Sequence, residues 1–226
     1  MNREAFAAAT NELGLSLTHE QLTAFEAFEE ALYKANEVMN LTRIPREECW
    51  LRHFIDSLLF QDLIPEFSEV LDIGSGPGFP AWPLACARPG IKVTTLDSHG
   101  KSIAFLRQNP LPNLTVVNGR AEDWGVTETY DIVTGRALAP LALQLELSAA
   151  PCTVGGKIIP MRTPSDRKAI AEIKRASLGI QLKDTVNRTL PGTDIERLFP
   201  IYEKIAPTPK RYPRTWAEMK TKPLTQ

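Results

Sequence analysis

The stretch Val70-Leu-Asp-Ile-Gly-Ser-Gly-Pro-Gly-Phe-Pro80 decides how the rest of the chain is read. Glu69-Val-Leu-Asp-Ile predicts a short apolar strand running directly into Gly74, Gly76 and Gly78, and residues 79–87 predict a helix beyond them. Without Cβ atoms the loop backbone can come close to a ligand, and the helix start aims its free amides at the same space. The plain alternative is a tight strand-to-helix turn that holds nothing.

Working outward, residues 91–97, 114–118, 130–134 and 156–160 predict four more strands, with helical patterns at 79–87, 100–108 and 138–150 between them. Such alternation predicts an α/β fold, a parallel doubly wound sheet with helices on both faces. A helix at 167–178 and a late strand at 198–205 follow. No strand pattern precedes residue 68. Thr18 and Gln21 there form a capping signature for a helix whose apolar face carries Leu22, Phe25, Phe28, Leu32 and Val38. A second helix is expected from Pro45 to about Leu63, with Glu47 and Glu48 at its positive end. Phe25, Phe28, Tyr33, Met39 and Trp82 are read as core. The chain is thus expected to divide into an N-terminal helical extension, 1–67, packed on a domain of 68–226 that ends in a basic arm.

Composition narrows the function classes. With 226 residues, 43% of them hydrophobic, a packed core forms and wholesale disorder is excluded. The net charge of -1 excludes a polycation, yet the charge is uneven. Residues 1–50 hold four basic side chains against nine acidic ones, whereas 204–222 hold six basic against Glu218 alone. Residues 156–175 add six basic against two acidic, so a polyanion-binding side is expected. Tyr202, Tyr212 and Trp216 lie among those cations as base-stacking or anchoring rings; a solvated tail is the other reading. Cys49, Cys86 and Cys152 are scattered and odd in number, which argues against a disulfide framework or a thiolate metal site and for a reducing cytoplasm. No apolar run is long enough for a membrane span, and the acidic N-terminus does not read as a signal peptide.

The ends of successive strands carry matching chemistry. Asp97 closes the second strand, placed to accept hydrogen bonds from two ribose hydroxyls. Gly119-Arg-Ala-Glu-Asp123 follows the third, where an acidic or backbone group can meet an adenine edge. Open parallel sheets bind ligands at these carboxyl ends, so a nucleoside site is expected. It is not a dinucleotide site: the third glycine of G-x-G-x-x-G would fall on Phe79, and no basic residue occurs within 70–87 to hold a pyrophosphate. Gly100-Lys101-Ser102 imitates the end of a P-loop, but Thr95 stands where its first glycine is required. Arg136, at the fourth strand end, is expected in the site, with an ion pair to Glu122 or Asp123 as the alternative.

Asn40-Leu-Thr42, Arg52-His-Phe-Ile-Asp-Ser57, the glycine loop, Asp97-Ser98 with Lys101 and Phe105-Leu106, Gly119-Arg-Ala-Glu122, Gly135-Arg-Ala137 and Lys204 with Tyr212-Pro-Arg214 occur in this order. Together they resemble the small-subunit ribosomal RNA methyltransferase G family, formerly glucose-inhibited division protein B. The resemblance runs from about residue 36 to the C-terminus. It implies a Rossmann-like class I methyltransferase sheet, S-adenosylmethionine as cofactor and no metal. It also implies methyl transfer to N7 of a guanosine in 16S ribosomal RNA, free or within the small ribosomal subunit or its precursor. Cofactor contacts carried over fall on Gly74, Phe79, Asp97, Ser98, His99, Ala121, Glu122 and Arg136, and the loop itself adds Ser75 and Gly76. Arg52, His53, Arg136, Arg162, Lys210, Arg211 and Arg214 are the expected substrate-binding set. The chain departs from the family at Phe79-Pro-Ala81, at Gly135 before Arg136 and at Arg162, where the family commonly has lysine. His53 also reads as a hydrogen-bonded structural histidine, and His99 as a mere flank of the ribose loop. Guanine N7 carries no proton, so no general base is named. A small-molecule methyltransferase, or a non-catalytic RNA-binding or ribosome-assembly factor retaining the fold, are the competing readings.

Overall fold

The computed structural model describes residues 1–173 and 176–224. Strands β1 (Glu69–Ile73), β2 (Lys92–Asp97), β3 (Leu114–Asn118), β4 (Tyr130–Arg136), β5 (Cys152–Met161), β6 (Ile180–Thr189) and β7 (Glu196–Lys204) form one sheet in the order β3-β2-β1-β4-β5-β7-β6. The first five are parallel, with Val70 of β1 opposite Val93 on one side and Ile132 on the other. The purely parallel sheet expected from the sequence is corrected at one edge. β7 runs antiparallel to both β5 and β6. The reason is local: Leu190 N–H donates to Ile195 O and Gly192 takes a φ of +70°, so the chain turns back as a hairpin without a crossover helix.

The connections carry α4 (Ala81–Ala87) after β1, α5 (Gly100–Gln108) after β2 and α6 (Leu141–Ala149) after β4. Between β3 and β4 there is only one turn of 3-10 helix, Ala121–Asp123, and a loop. After β5 the expected helix over 167–178 is shorter: α7 (Arg167–Glu172), then a 3-10 turn at Ala176–Leu178. Residues 174 and 175 of that expectation lie outside the described residues. The last helix among the described residues is α8 (Trp216–Thr221), capped by Thr215 and Glu218.

At the N-terminus, α2 (His19–Met39) begins at the expected capping box, Thr18 with Gln21. It is preceded by α1 (Arg3–Glu12), capped by Asn2. The single helix expected over 45–63 is broken into a 3-10 turn, a π-turn at Trp50–Ile55, the short α3 (Asp56–Leu58) and a second 3-10 turn at Gln61–Leu63. π-turns are rare and cluster at functional sites. This one presents Arg52 and His53 to the carboxyl edge of the sheet.

Two cores sandwich the sheet. One is aromatic: Phe28 stacks on Trp82 at 3.9 Å, Phe25 meets Phe54 at 4.9 Å, and Phe6 and Phe105 complete the group. Rings of this kind contribute beyond their buried area through edge and stacking geometry. The other is aliphatic, built from Leu71, Ile73, Leu96, Leu145, Leu147 and Ile180, with Met219 of α8 fully buried in it. No helix among the described residues is long and apolar enough to cross a membrane.

Candidate active site

The glycine loop leaves β1 under tight constraint. Gly74, φ +73°, donates its N–H to Leu96 O at 2.7 Å, and a Cβ there would sit 2.4 Å from Leu138 Cδ1. Gly76, φ +53°, differs: a Cβ would meet nothing within 4 Å. The loop therefore needs glycine at 74 for space within the protein, whereas at 76 it leaves a face open to a ligand.

Asp97 ties the loop to the second strand. Its Oδ2 accepts from Gly76 N–H at 2.8 Å and its Oδ1 from His99 N–H at 2.7 Å. Each oxygen keeps a further lone pair, and the carboxylate borders a cavity of about 160 Å³ shared with Gly74, Ser98, Ala121 and Glu122. Beneath the loop, Asp72 is fully buried and its Oδ2 accepts from Ala81 N–H at 3.1 Å. Burial pushes its pKa up to about 7, against the Ala81 hydrogen bond and Arg136, with Asp97 adding to the rise. Asp72 Oδ1 and Ser75 Oγ, both buried, have no hydrogen-bond partner among the described residues. The His99 ring lies 3.0 Å from Ser102 Oγ, over the first turn of α5.

A second opening, about 480 Å³, lies at the ends of β4 and β5. Arg136 donates to Asp56 Oδ2 at 3.0 Å, to Arg52 O at 3.2 Å and to His53 Nδ1 at 3.0 Å. The ion-pair partner is thus Asp56, not Glu122 or Asp123, because the side chain turns toward the π-turn rather than β3. A guanidinium only donates, so Nδ1 accepts, and the ring proton sits on Nε2, 2.7 Å from Thr42 Oγ1. The imidazole stacks on Phe79 at 4.1 Å with 4° between the rings, and the Arg136 guanidinium lies 5.1 Å from the same ring. Burial, then the charges of Arg136 and Arg52, push the His53 pKa down to about 3. Asp56, 2% exposed, also receives Arg197 Nε at 2.7 Å from Oδ1. Arg52 stands at the rim, paired with Glu48 at 2.5 Å.

Two cations expected to face RNA are engaged internally. Arg162, 8% exposed, donates to both oxygens of Asp166 at 3.2 and 3.0 Å and to Ala139 O and Gln144 Oε1 at 2.9 Å. Arg214 forks onto buried Glu146 at 2.8 and 2.6 Å. Lys204 is buried too, its Nζ 2.6 Å from Cys152 O. Lys210 and Arg211 stay exposed, Arg211 lying 5.0 Å over the Tyr212 ring. Asp56, Arg197 and Glu146 were assigned no role from sequence. Asp56 lies in the quoted Arg52–Ser57 string, but nothing local marks the other two.

Residues 137–139 alternate between the two openings. Ala137, at a φ of +54°, and Ala139 line the arginine cleft, while Leu138 lines the Asp97 cavity. Non-glycine residues rarely adopt this conformation, and such strain concentrates at functional sites. No cluster of three or more His, Cys, Asp or Glu side chains suited to a metal occurs among the described residues.

Comparison with known proteins gives the fold and the family. In fold, the chain is similar to an S-adenosylmethionine-dependent methyltransferase from Aquifex aeolicus, TM-score 0.53 at 16% identity, over 70% of this chain and 93% of that one. It is also similar to TYW2 of M. jannaschii, solved in complex with AdoMet, TM-score 0.53 at 16% identity, over 66% and 75%. In sequence, it is 36% identical to the ribosomal RNA small subunit methyltransferase G of Lactobacillus johnsonii, covering 99% of this chain and all (100%) of that one. The enzyme of the same name from Lysinibacillus sphaericus is 36% identical over 95% of both. The model of the family described as rRNA small subunit methyltransferase G matches residues 21–193, and the chain belongs to that family.

Proposed function

We propose that this chain transfers a methyl group from S-adenosylmethionine to N7 of a guanosine in 16S ribosomal RNA, acting in the cytoplasm on the small ribosomal subunit or its precursor. One observation carries the reading: an aspartate-lined cavity and an arginine-lined cleft open at neighbouring strand ends of one sheet, with residues 137–139 between them. The residues present fit the cofactor. Asp97 keeps lone pairs for the two ribose hydroxyls, Gly76 leaves its face open, and the loop has no cation because the ligand has no phosphate. When bound, S-adenosylmethionine supplies a methyl group on a positively charged sulfur.

What the protein must add is alignment. N7 attacks with a lone pair and has no proton to lose, so a base is superfluous. His53 fits that requirement, since both its nitrogens are engaged and its pKa of about 3 leaves it neutral. Its work is to hold the Arg136 guanidinium over Phe79. Holding two reactants in line supplies roughly 7–11 kcal/mol of the barrier without proton transfer. Arg136, paired with Asp56, shapes the floor of the cleft and half-exposed Arg52 stands at its rim, while the exposed Lys210 and Arg211 of the C-terminal arm offer positive charge to the RNA backbone.

The test is mass spectrometry of 16S ribosomal RNA from cells with and without the protein. Loss of one 7-methylguanosine is the expected result, and an unchanged methyl content would overturn the proposal. RNA binding by the arm is read from a salt series. Lys210→Gln with Arg211→Gln should flatten the log–log slope by about 1.4, at about 0.7 per phosphate on a single strand.

A further inference from the structure

The connection from β3 to β4 lacks a helix, so the face of the sheet over β1 and β2 needs another cover. The C-terminal arm provides it. Ile205 N–H donates to Gly179 O at 2.8 Å and Thr208 Oγ1 to Leu178 O at 3.1 Å, which set the arm's start. Glu146 of α6 then takes the backbone N–H of Arg214 at 2.8 Å as well as its guanidinium. Arg214 also donates to Lys222 O at 2.9 Å, so one side chain fixes both ends of α8. Met219 buries fully beneath α8, while Trp216 lines the same cavity of about 160 Å³ as Asp97, Ser98 and Glu122. Beside it lies a larger hollow of about 560 Å³, bordered by Ala121, Glu122, Lys210, Tyr212 and Pro213.

Building on the S-adenosylmethionine reading above, we infer that the C-terminal arm is part of the cofactor site: Trp216 forms an aromatic wall of the adenosine cavity, and the Glu146–Arg214 ion pair is the positioning device that holds it there. A buried carboxylate with three donors from one arginine fixes the arm more tightly than an exposed pair would. An aromatic ring beside a base gives affinity through its π-face and apolar area. The arm thus belongs to both ends of the reaction, with its exposed cations toward RNA and its tryptophan toward the cofactor.

The experiment is calorimetric titration of the full-length protein with S-adenosylhomocysteine, which binds without reacting. Trp216→Ala should weaken binding by about tenfold, the scale of one aromatic contact to a base. Trp216→Phe should recover most of the loss. Glu146→Gln should weaken binding in the same direction, and Lys220→Gln, an exposed change on the same helix, should have no effect. Hydrogen exchange on the unaltered protein gives an independent reading should a variant not fold: amides of 212–221 should slow when the ligand saturates. No binding by the unaltered protein would overturn the cofactor reading together with this inference. Binding that survives Trp216→Ala unchanged, or exchange in 212–221 indifferent to ligand, would overturn the inference alone.

Discussion

Asp97, at the end of β2, and Asp56, at the start of α3, are both held by neighbours at their two oxygens, but the neighbours differ in kind: hydrogen-bonding amides in the first case, ion-paired arginines in the second. Asp97 receives two backbone N–H groups, uncharged and already fixed by the chain, and stays partly exposed at its cavity. Asp56 receives two arginines and is 2% exposed. The first arrangement leaves a carboxylate its charge and spare lone pairs, suited to a neutral diol arriving from solvent. The second consumes the carboxylate in fixing cations, so its role is to orient Arg136 and Arg197. On the cofactor reading proposed above, the charge of their neighbours divides two aspartates at the edge of one sheet into a binding group and a positioning group.

This contrast is breakable. The largest effect is expected from Asp56→Ala, which strips two poorly exposed arginines of their counter-ion and should cost about 3–5 kcal/mol of stability, read by denaturant unfolding. A loss below 1 kcal/mol, on the scale of exposed pairs, would place Asp56 with the dispensable surface charges. Asp97→Ala should act chiefly on binding. It should cost less stability than Asp56→Ala, because the two amides it frees lie beside an open cavity that water reaches, and it should weaken binding of S-adenosylhomocysteine by roughly 1.5–3 kcal/mol, the worth of a hydrogen bond to a charged group. If the two substitutions affected stability alike, the division between the aspartates would fail.

The smallest effect is a pair of opposing slopes. His53 titrates at about 3 when folded against an ordinary 6.5, so its contribution is present above 6.5 and lost as pH falls toward 3. Asp72 titrates at about 7 against an ordinary 3.8, so its contribution is present below 3.8 and lost as pH rises toward 7. Between about pH 4 and 6.5 the two slopes oppose each other, each at most about 1.4 kcal/mol per pH unit. His53→Gln should therefore leave stability falling with pH in that window, and Asp72→Asn should leave it rising. Unfolding midpoints measured at three pH values decide it, and slopes of equal sign in the two variants would refute the assignment.

The readable parts of the sequence were those where local chemistry and local structure coincide. The Gly74–Gly78 loop, Asp97 and the Thr18–Gln21 capping box each announce themselves within a few residues. β6 does not: it is an edge strand with one buried residue, Ile180, and the rest half-buried or exposed, so its apolar pattern fades after Leu182. The helix expected over 45–63 was misjudged because apolar periodicity marks a buried face but not the extra residue of a π-turn. Arg214 looked like one more cation in a basic tail, since its partner Glu146 lies 68 residues earlier on an all-buried helix. Long-range ion pairs leave no periodic trace.

The kink at Ala137 has a consequence for how the two openings are kept apart. Because the backbone reverses hand at one residue, a single strand of chain becomes a septum, with Ala137 and Ala139 facing the arginine cleft and Leu138 facing the Asp97 cavity. Leu138 also fills the space that a Cβ at Gly74 would need, so the septum and the glycine loop cannot shift independently. Trimming Leu138 would loosen that packing and widen the Asp97 cavity, whereas enlarging it would press the septum against the loop.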